Sequence, residues 1–319
     1  MTKKIVAIGG GTGLYTLISG LKNFDIDISA IVAASDDGGS SGILRDEYGI
    51  LPPGDIRRCI VALSESEQLL RKLFEYRFRK GGLKGHSFGN LFITALREIT
   101  GSFDAAVQEA ARLLAVKGKV LPCTLDDVKL CALLENSRIV KGQVAVSEIK
   151  RNYNTKIKEL FLEARELKEA KARVKAYKPA IRAIEEADLI VLGPGSLFTS
   201  VLPNLLIKEI QQTILNAKAK KVYVVNIMTE HGETNDLTAS QHVVEVEKYL
   251  KGKLDYVILN TSKAPIELLK RYEEEYKVQV DADIENISAK IIKGDFLRKK
   301  NLLRHDSFKL AKAIIELVK

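Results

Sequence analysis

The fold is decided near the N-terminus by the stretch Ile5-Val6-Ala7-Ile8-Gly9-Gly10-Gly11-Thr12-Gly13-Leu14. An apolar run followed by a glycine turn and renewed apolar residues is typical of a buried strand that enters a helix. The first N–H groups of a helix have no intrahelical acceptor, and the helix dipole favours an anion beside them. Four glycines among residues 9–13 exceed what a tight turn needs, which is the plain alternative. The stretch therefore predicts a phosphate-bearing ligand near Gly10, Gly11, Thr12 and Gly13.

The spacing of these glycines does not name the ligand. The dinucleotide fingerprint G-x-G-x-x-G requires a third glycine, but that position holds Leu14 or Thr16, depending on the glycine from which one counts. A nicotinamide-dependent oxidoreductase is therefore disfavoured, also because no hydride-transfer site is evident. The loop by itself indicates phosphate binding and nothing narrower.

Length and composition predict a large folded α/β protein. The chain has 319 residues, of which 46% are hydrophobic and 29% charged, and this balance disfavours disorder. No apolar run is long enough to span a membrane, and Met1-Thr2-Lys3-Lys4 does not resemble a secretory signal. We therefore expect a cytoplasmic protein. Residues 1–319 should form a single α/β domain, and the sequence leaves homo-oligomerisation open.

Charge and cysteine content exclude several classes of site. The formal net charge is +9, and residues 151–178 hold nine Lys or Arg and four Glu. No aromatic stacking series accompanies this run, so a solvated helix face explains it better than nucleic acid binding. Cys59, Cys123 and Cys131 lack the spacing of a disulfide framework or a zinc site, which predicts that they are buried small hydrophobes.

A second polar loop follows the second predicted strand. A helix over 12–22 and a strand over 28–34 lead to Ser35-Asp36-Asp37-Gly38-Gly39-Ser40-Ser41-Gly42, at the edge of a parallel sheet where ligands bind. Asp36 or Asp37 could accept a hydrogen bond from a ribose hydroxyl. Alternatively, the two carboxylates could hold a divalent metal such as Mg²⁺. We read the whole stretch as a loop, with Gly38, Ser40 and Ser41 among the ligand-binding residues.

Two further segments carry candidate side chains. Residues 52–58 read as a turn and a helix with Asp55 as N-cap, and Arg45, Arg57 and Arg58 are candidates for a phosphate or carboxylate clamp. The segment Gly85-His86-Ser87-Phe88-Gly89-Asn90 opens a helix over 91–100. His86, Ser87 and Asn90 fall on its first turn, where they could contact a ligand. A simple N-cap role for Ser87 is the alternative.

The middle of the chain predicts an antiparallel insertion at about 120–178. A helix over 102–117 is followed by two β-like runs, 128–134 and 138–146, joined by Asn136-Ser137. Residues 157–162 could be strand or helix, and the Glu/Lys/Arg/Ala-rich piece after them reads as helical.

The parallel pattern then returns with a second glycine loop. The strand over 187–192 is followed by Gly193, Gly195, Ser196 and Thr199, which could donate to a second anionic group. A helix near 204–217 and a strand over 221–227 follow. This strand places Asn226 at its carboxyl end, suited to reading a base or a sugar by hydrogen bonds.

The last third completes a Rossmann-like, mostly parallel sheet with helices on both faces. It predicts a helix over 238–251, a strand over 255–260, a helix over 264–276 and a strand over 288–292. Asp306 is the expected N-cap of the final helix, and Arg304 in the preceding loop could fold over a ligand.

Taken together, these blocks resemble the bacterial gluconeogenesis factor family (YvcK-like proteins) of the 2-phospho-L-lactate transferase-like superfamily. The resemblance covers essentially the whole chain. It is carried, in order, by Gly9-Gly10-Gly11-Thr12-Gly13, Asp36-Asp37-Gly38-Gly39-Ser40-Ser41-Gly42, Pro53-Gly54-Asp55-Ile56-Arg57, Gly85-His86-Ser87-Phe88-Gly89-Asn90, Gly193-Pro194-Gly195-Ser196 and Asn226-Ile227-Met228-Thr229. Residues 164–178, and those after the Asp-Asp-Gly-Gly loop, are less typical of the family.

The resemblance implies a cytoplasmic regulator that binds UDP-sugars such as UDP-N-acetylglucosamine. It also implies a role in carbon flow, gluconeogenic growth and cell-wall morphogenesis. The glycine loops would hold the nucleotide and diphosphate, and Arg304 matches a family arginine needed for UDP-sugar binding. The enzymatic relatives transfer a phospholactyl group from a nucleotide-activated donor, with an acidic loop and a metal serving that chemistry.

Two hypotheses remain in front. The first is a non-catalytic nucleotide-sugar-binding regulator read by an unknown protein partner; the second is a transferase using a nucleotide-diphosphate donor, with Mg²⁺ on Asp36 or Asp37. Both hypotheses use one predicted set of ligand-binding residues: Gly10, Gly11, Thr12, Gly13, Asp36, Asp37, Gly38, Ser40, Ser41, His86, Asn90, Gly193, Gly195, Ser196, Thr199, Asn226 and Arg304.

Overall fold

The computed structural model describes residues 2–153, 155–164, 174–235, 237–299 and 302–318, without the side chains of Lys150 and Lys299. The strands are β1 Lys3–Gly9, β2 Ile26–Val32, β3 Lys119–Pro122, β4 Val128–Leu134, β5 Ile139–Lys141, β6 Ile157–Ala164, β7 Leu189–Leu192, β8 Lys220–Val224, β9 Tyr256–Asn260, β10 Lys290–Gly294, β11 Leu297–Lys299 and β12 Leu303–His305. The helices are α1 Gly11–Leu21, α2 Gly39–Tyr48, α3 Gly54–Leu63, α4 Gln68–Glu75, α5 Phe88–Thr100, α6 Phe103–Leu113, α7 Gln143–Ser147, α8 Ile149–Tyr153, α9 Lys178–Glu185, α10 Leu202–Leu205, α11 Lys208–Asn216, α12 Ala239–Leu250, α13 Ile266–Glu273 and α14 Ser307–Ile315. A π-helical segment, Leu197–Val201, precedes α10, and a 3₁₀ turn spans Ile284–Asn286.

The central sheet has seven parallel strands in the order β10-β9-β8-β7-β1-β2-β3. Strand β1 lies between β2 and β7, with Ala7 beside Ala30 and Val191. Successive side chains of a strand face opposite sides, so Ile5 and Ala7 enter the core layer of α1 and α14, whereas the alternate residues of β1 enter the other layer. Both faces are covered, which explains the continuous apolar runs. The prediction of a Rossmann-like α/β fold is confirmed.

A small antiparallel sheet interrupts the parallel one, as predicted. Its order is β5-β4-β6, with Ala132 of β4 opposite Val140 and Leu160. The undecided segment 157–162 is therefore part of a strand. The predicted second run, 138–146, was wrong in its latter half, where Gly142 ends β5 and α7 begins. The predicted helical piece after it falls largely within residues 165–173, outside the described residues.

Several short elements escaped the sequence pattern. Strand β3 has four residues and carries Pro122, which suits an edge strand and hides the strand signal. The polar loop predicted over 35–42 was wrong in its second half, because Gly38 is the N-cap of α2 and Ser40 and Ser41 lie inside that helix. Arg304 lies on β12, paired with β11 in a hairpin, rather than in a loop.

The predicted helix caps had mixed outcomes. Asp306 caps α14, accepting hydrogen bonds from the N–H groups of Phe308 and Lys309, both at 3.0 Å. Ser87 caps α5 by accepting from the Asn90 N–H at 3.2 Å. The prediction for Asp55 was wrong: Pro53 is the N-cap of α3, and Asp55 lies in its first turn, where its carboxylate is directed to another element.

The three cysteines are buried free thiols, as predicted. Burial raises the pKa of the Cys123 thiol to about 12 and that of Cys131 to about 11. Across the described residues, the helices are all too short or too polar to cross a membrane.

Helix α1 is fixed from behind by α14 at a glycine. A methyl group on Gly20 would lie 2.0 Å from the Ser307 carbonyl oxygen, so the two backbones approach more closely than any side chain permits. This contact sets the position of α1, and hence of its N-terminus at the carboxyl edge of the sheet.

We expect Gly20→Ala to destabilise the protein by about 1–3 kcal/mol, because overpacking against a backbone oxygen exceeds the roughly 1 kcal/mol gained in helix propensity. The matched control is Gly82→Ala, where a methyl group meets nothing within 4 Å and a change within about 0.5 kcal/mol is expected. Urea unfolding measures both. Equal stability of the two variants would contradict the close packing of α1 on α14.

Candidate functional site

Two adjacent cavities lie at the carboxyl edge of the parallel sheet. The first, here called the acidic cavity, has a volume of about 330 Å³ and is lined by Gly10, Gly11, Thr12, Gly13, Asp36, Asp55, Arg58, Gln143, Gly195, Ser196, Thr199, Ser200 and Glu230. The second, here called the arginine cavity, has a volume of about 270 Å³ and is lined by Thr12, Gly13, Thr16, Pro194, Gly195, Asn226, Ile227, Met228, Thr229, Glu230, Tyr272, Lys277, Leu303, Arg304 and His305. They share Thr12, Gly13, Gly195 and Glu230, which we call the waist.

A larger groove of about 920 Å³ lies elsewhere, between α9 and α11. None of the predicted ligand-binding residues lines it, and it is remote from the strand ends that position ligands in this class of sheet. The candidate site is therefore the pair of smaller cavities.

The N-terminus of α1 opens onto the waist without a side-chain cap. Gly10 is its N-cap, and the Gly11 N–H donates to the Asp55 carboxylate at 2.7 Å. The next two N–H groups, of Thr12 and Gly13, have no acceptor among the described residues. The side chain of Arg58 reaches this turn and donates to the Thr12 hydroxyl at 3.3 Å. Free N–H groups, the helix dipole and a nearby guanidinium all favour an anion here.

The two glycine loops touch each other directly. A methyl group on Gly13 would lie 2.3 Å from the Pro194 carbonyl oxygen, so glycine is required at this position for the loops to meet. Asn226 fastens the second loop, because its Oδ1 accepts from the Gly195 N–H at 3.1 Å and its Nδ2 donates to the Gly195 carbonyl at 2.9 Å. Asn226, a predicted ligand-binding residue, lines the arginine cavity, but both ends of its amide already bond to Gly195.

The structure separates the two aspartates of the acidic loop. Asp37 accepts from the N–H groups of Gln143 and Val144 at 3.0 and 2.9 Å, and so caps α7. Asp36 lines the acidic cavity, where the second carboxylate is Asp55 rather than Asp37. Burial and the neighbouring charge of Asp36 raise the pKa of Asp55. Among the described residues, no three His, Cys, Asp or Glu side chains cluster as a metal site would require.

His86, Asn90 and Ser40 form a network behind the cavities rather than on their walls. The Ser40 hydroxyl lies 3.2 Å from His86 Nδ1 and accepts from Asn90 Nδ2 at 3.1 Å. Arg57 Nε donates to Asn90 Oδ1 at 2.9 Å. The network joins α2, α3 and α5, which fixes the segment that carries Asp36. These residues therefore support the site from behind in this structure.

Of the three arginines considered for an anion clamp, only Arg58 lines a cavity. Arg45 is buried and bonded to Asp127 and the Val128 carbonyl of the insertion. Burial lowers the pKa of Arg57 to about 10. Arg304, on the opposite side, has an exposed side chain on the wall of the arginine cavity.

The remaining predicted residues divide in the same way. Gly10, Gly11, Thr12, Gly13, Asp36, Gly195, Ser196, Thr199, Asn226 and Arg304 line the cavities, whereas Asp37, Gly38, Ser40, Ser41, His86, Asn90 and Gly193 do not. Sequence reasoning missed several lining residues, among them Gln143, Glu230, Tyr272 and Lys277. Glu230 lies within residues 226–234, the stretch that contains the predicted residue Asn226, but no motif in that stretch indicated a role for Glu230.

Comparison with known proteins identifies the family of this chain. The profile of the family described as "2-phospho-L-lactate transferase CofD" matches residues 5–297. The chain belongs to the CofD family. Within it, the chain is 44% identical to the "Gluconeogenesis factor" of Bacillus subtilis over 322 residues, covering 99% of this chain and 98% of that protein. It is also 44% identical to the "Putative gluconeogenesis factor" of Thermotoga maritima, covering 98% of each.

Solved structures show the same fold. A crystal structure of a member of the UPF0052 family from Bacillus halodurans superposes with a TM-score of 0.92 at 39% identity, covering 99% of both chains. The fold and the family predicted from the sequence are thus confirmed.

The raised pKa of Asp55 predicts a pH-dependent stability. A raised carboxyl pKa contributes stability below the unfolded pKa, and this contribution is lost as pH rises through the folded pKa. Asn at this position cannot ionise but can still accept from the Gly11 N–H. We therefore expect Asp55→Asn to gain stability relative to wild type as pH rises from about 4 to about 7.

Urea unfolding at a series of pH values measures this difference. Asp36→Asn should reduce the pH dependence in part, because it removes the neighbouring charge that raises the pKa of Asp55. Parallel pH curves for wild type and Asp55→Asn would contradict the assignment.

Proposed function

We propose that this protein binds a UDP-sugar such as UDP-N-acetylglucosamine and acts in the cytoplasm as a regulator of carbon flow, gluconeogenic growth and cell-wall morphogenesis. The observation that carries the proposal is the pair of adjacent cavities that share lining residues at the uncapped N-terminus of α1. Each cavity alone is at the small end for ligand sites, which begin at about 300 Å³, and would hold only part of a nucleotide sugar.

The distribution of side chains fits the parts of such a ligand. The waist offers the N–H groups of Thr12 and Gly13 to a diphosphate. The arginine cavity combines the aromatic ring of Tyr272 and the apolar side chain of Ile227 with Arg304, a surface suited to a base and its phosphate. The acidic cavity presents hydroxyl, amide and carboxylate groups suited to sugar hydroxyls.

A regulatory role is our first candidate, and the described residues of the cavities show no histidine-activated nucleophile that would support covalent catalysis, which leaves direct transfer from a bound donor as the catalytic alternative. Across the described residues, neither cavity places a serine, threonine or cysteine in a hydrogen bond with a histidine. A regulator also needs a surface that a partner can read. Residues 120–178, which we take as a subregion inserted into a single α/β domain, are joined to the site through Asp37 and Gln143. We propose that an unknown protein partner recognises the ligand-bound form of the protein. Homo-oligomerisation of the chain is also possible within this proposal.

The first test is calorimetry with UDP-N-acetylglucosamine. Arg304→Ala should weaken binding by roughly 10- to 100-fold, because a charge-assisted hydrogen bond contributes about 1.5–3 kcal/mol. Arg298→Ala is the matched control, since Arg298 lies opposite Arg304 in the β11–β12 hairpin but lines neither cavity. Wild-type protein that binds no UDP-sugar would refute the proposal.

A metal-dependent transferase using a nucleotide-diphosphate donor is the second candidate. It is favoured by one observation, the two carboxylates of Asp36 and Asp55 on one cavity wall. Carboxylate oxygens are ligands that Mg²⁺ prefers, so these two residues fit the metal better than the predicted pair of Asp36 and Asp37. When bound, Mg²⁺ would neutralise charge on the leaving phosphate.

The transferase candidate predicts Mg²⁺-dependent release of UMP from a UDP-sugar in the presence of an acceptor. Asp36→Asn should abolish that release, whereas Asp188→Asn, a carboxyl outside both cavities, should leave it unchanged. Chromatography of the nucleotide products measures it. No UMP release over a broad acceptor panel would leave the binding role alone.

A further inference from the structure

A short hairpin, here called the finger, joins α4 to α5 and comprises residues 76–87. Two backbone hydrogen bonds pair its arms: the Phe78 N–H donates to the His86 carbonyl and the Gly85 N–H donates to the Phe78 carbonyl, both at 2.9 Å. Because the arms are bonded to each other, the finger presents its tip in a fixed shape.

The tip of the finger stands clear of the rest of the molecule. A methyl group placed on Gly81, Gly82 or Gly85 would meet nothing within 4 Å, and every residue from 79 to 85 is exposed. Among these glycines stands Leu83, which is 45% exposed. One exposed leucine is ordinary on a protein surface, but a leucine at a convex tip can enter a soft apolar medium without a matching groove.

Positive charge accompanies this leucine. Residues 76–86 read Tyr-Arg-Phe-Arg-Lys-Gly-Gly-Leu-Lys-Gly-His, with four Lys or Arg and no Asp or Glu. Arg79, Lys80 and Lys84 are exposed and form no ion pair with any residue that the structure describes. Unpaired cations at a protruding tip attract an anionic surface.

The helix before the finger adds further exposed apolar side chains. Leu69 and Leu73 lie one turn apart on α4 and are 76% and 40% exposed, and Lys72 beside them is exposed as well. Tyr76, which is 50% exposed, joins α4 to the finger. Residues 69–84 thus combine exposed leucines with cations, a composition typical of segments that lie at a membrane surface.

Other partners fit this surface less well. A twofold contact centred on the finger would set its four cations against four of a second copy, in a chain of net charge +9. Single-stranded nucleic acid would need exposed rings for stacking, but Phe78 is half-buried, with its ring centroid 5.2 Å from that of Tyr76. An acidic protein would need a groove that matches the convex tip, whereas a fluid lipid surface needs none.

We propose that the finger binds the surface of an anionic phospholipid membrane. Arg79, Lys80 and Lys84 contact the lipid phosphates, and Leu83 enters the boundary between headgroups and acyl chains. The attachment is peripheral and reversible, because each cation near an anionic leaflet adds only about a fivefold gain in affinity. None of these four residues lines either cavity, so the test of membrane binding does not depend on the proposed UDP-sugar.

Co-sedimentation with phospholipid vesicles tests the recognition of charge. The wild-type chain should bind vesicles of phosphatidylcholine that contain about 30% phosphatidylserine, and high salt should release it. It should not bind vesicles of phosphatidylcholine alone. The triple variant Arg79→Ala, Lys80→Ala, Lys84→Ala should bind the anionic vesicles about 100-fold more weakly, because it loses three cations at the tip.

The matched control for the triple variant is Lys218→Ala, Lys293→Ala, Lys312→Ala. It removes the same charge from exposed sites on α11, β10 and α14, and its affinity should stay within about threefold of wild type. Equal binding by wild type and the finger variant would overturn the proposal.

A tryptophan at the tip tests insertion. The chain has no tryptophan, so Leu83→Trp provides a single reporter, and its emission should shift to the blue when anionic vesicles are added. The matched control is Leu215→Trp, which replaces an exposed leucine on α11 and should show no shift.

Two further results would overturn the proposal. One is unchanged emission of Leu83→Trp when the protein is bound to vesicles. The other is no sedimentation of wild type with anionic vesicles; binding of polyglutamate instead, lost in the triple finger variant, would then identify an acidic protein as the partner. Neither result bears on UDP-sugar binding, which calorimetry measures separately.

Discussion

The site depends on the contact between two glycine loops in which Gly13 meets Pro194, 181 residues further along the chain. Gly13 in the first turn of α1 touches the Pro194 carbonyl so closely that a methyl group would come within 2.3 Å. Asp55 holds α1 from one side through the Gly11 N–H, and Asn226 holds the second loop through both of its amide atoms. The first bond ties the N-terminal turn of α1 to α3, and the other two tie the second loop to the segment that follows β8, so the N–H groups that remain free lie at a cleft of defined shape.

This arrangement places an anion-binding helix N-terminus and several carboxyl groups around the same pair of cavities. The carboxyls are those of Asp36, Asp55 and Glu230. In water such charges would largely be screened, but burial raises the pKa of Asp55 and of Glu230, which reduces their charge when the pH is low enough. The cleft can then accept a diphosphate at the waist and use its carboxyls for hydroxyls, protons or a metal at the ends.

The sequence predicted local features well and long-range hydrogen bonds poorly. Apolar runs identified β1, β2 and the strands that follow the insertion, because a strand buried on both faces leaves an unbroken signal. The glycine loops were found for the same local reason. The sequence did not predict the hydrogen bonds of Asp37 to α7 or of Asn226 to Gly195. Each of these bonds joins segments that are distant in the sequence and become neighbours only in the fold. Strand β3 and the β11–β12 hairpin were too short to show a period.

Asp36 and Asp37 are adjacent in the chain, but one carboxylate lies in the cleft and the other holds the first turn of α7 in the insertion. The two adjacent residues thus link the acidic cavity to α7 of the insertion. The insertion cannot shift independently of residue 36 without breaking two hydrogen bonds to a charged group, each contributing about 1.5–3 kcal/mol. The position of Asp36 in the cleft is therefore tied to the position of α7 in the insertion through the neighbouring residue, Asp37.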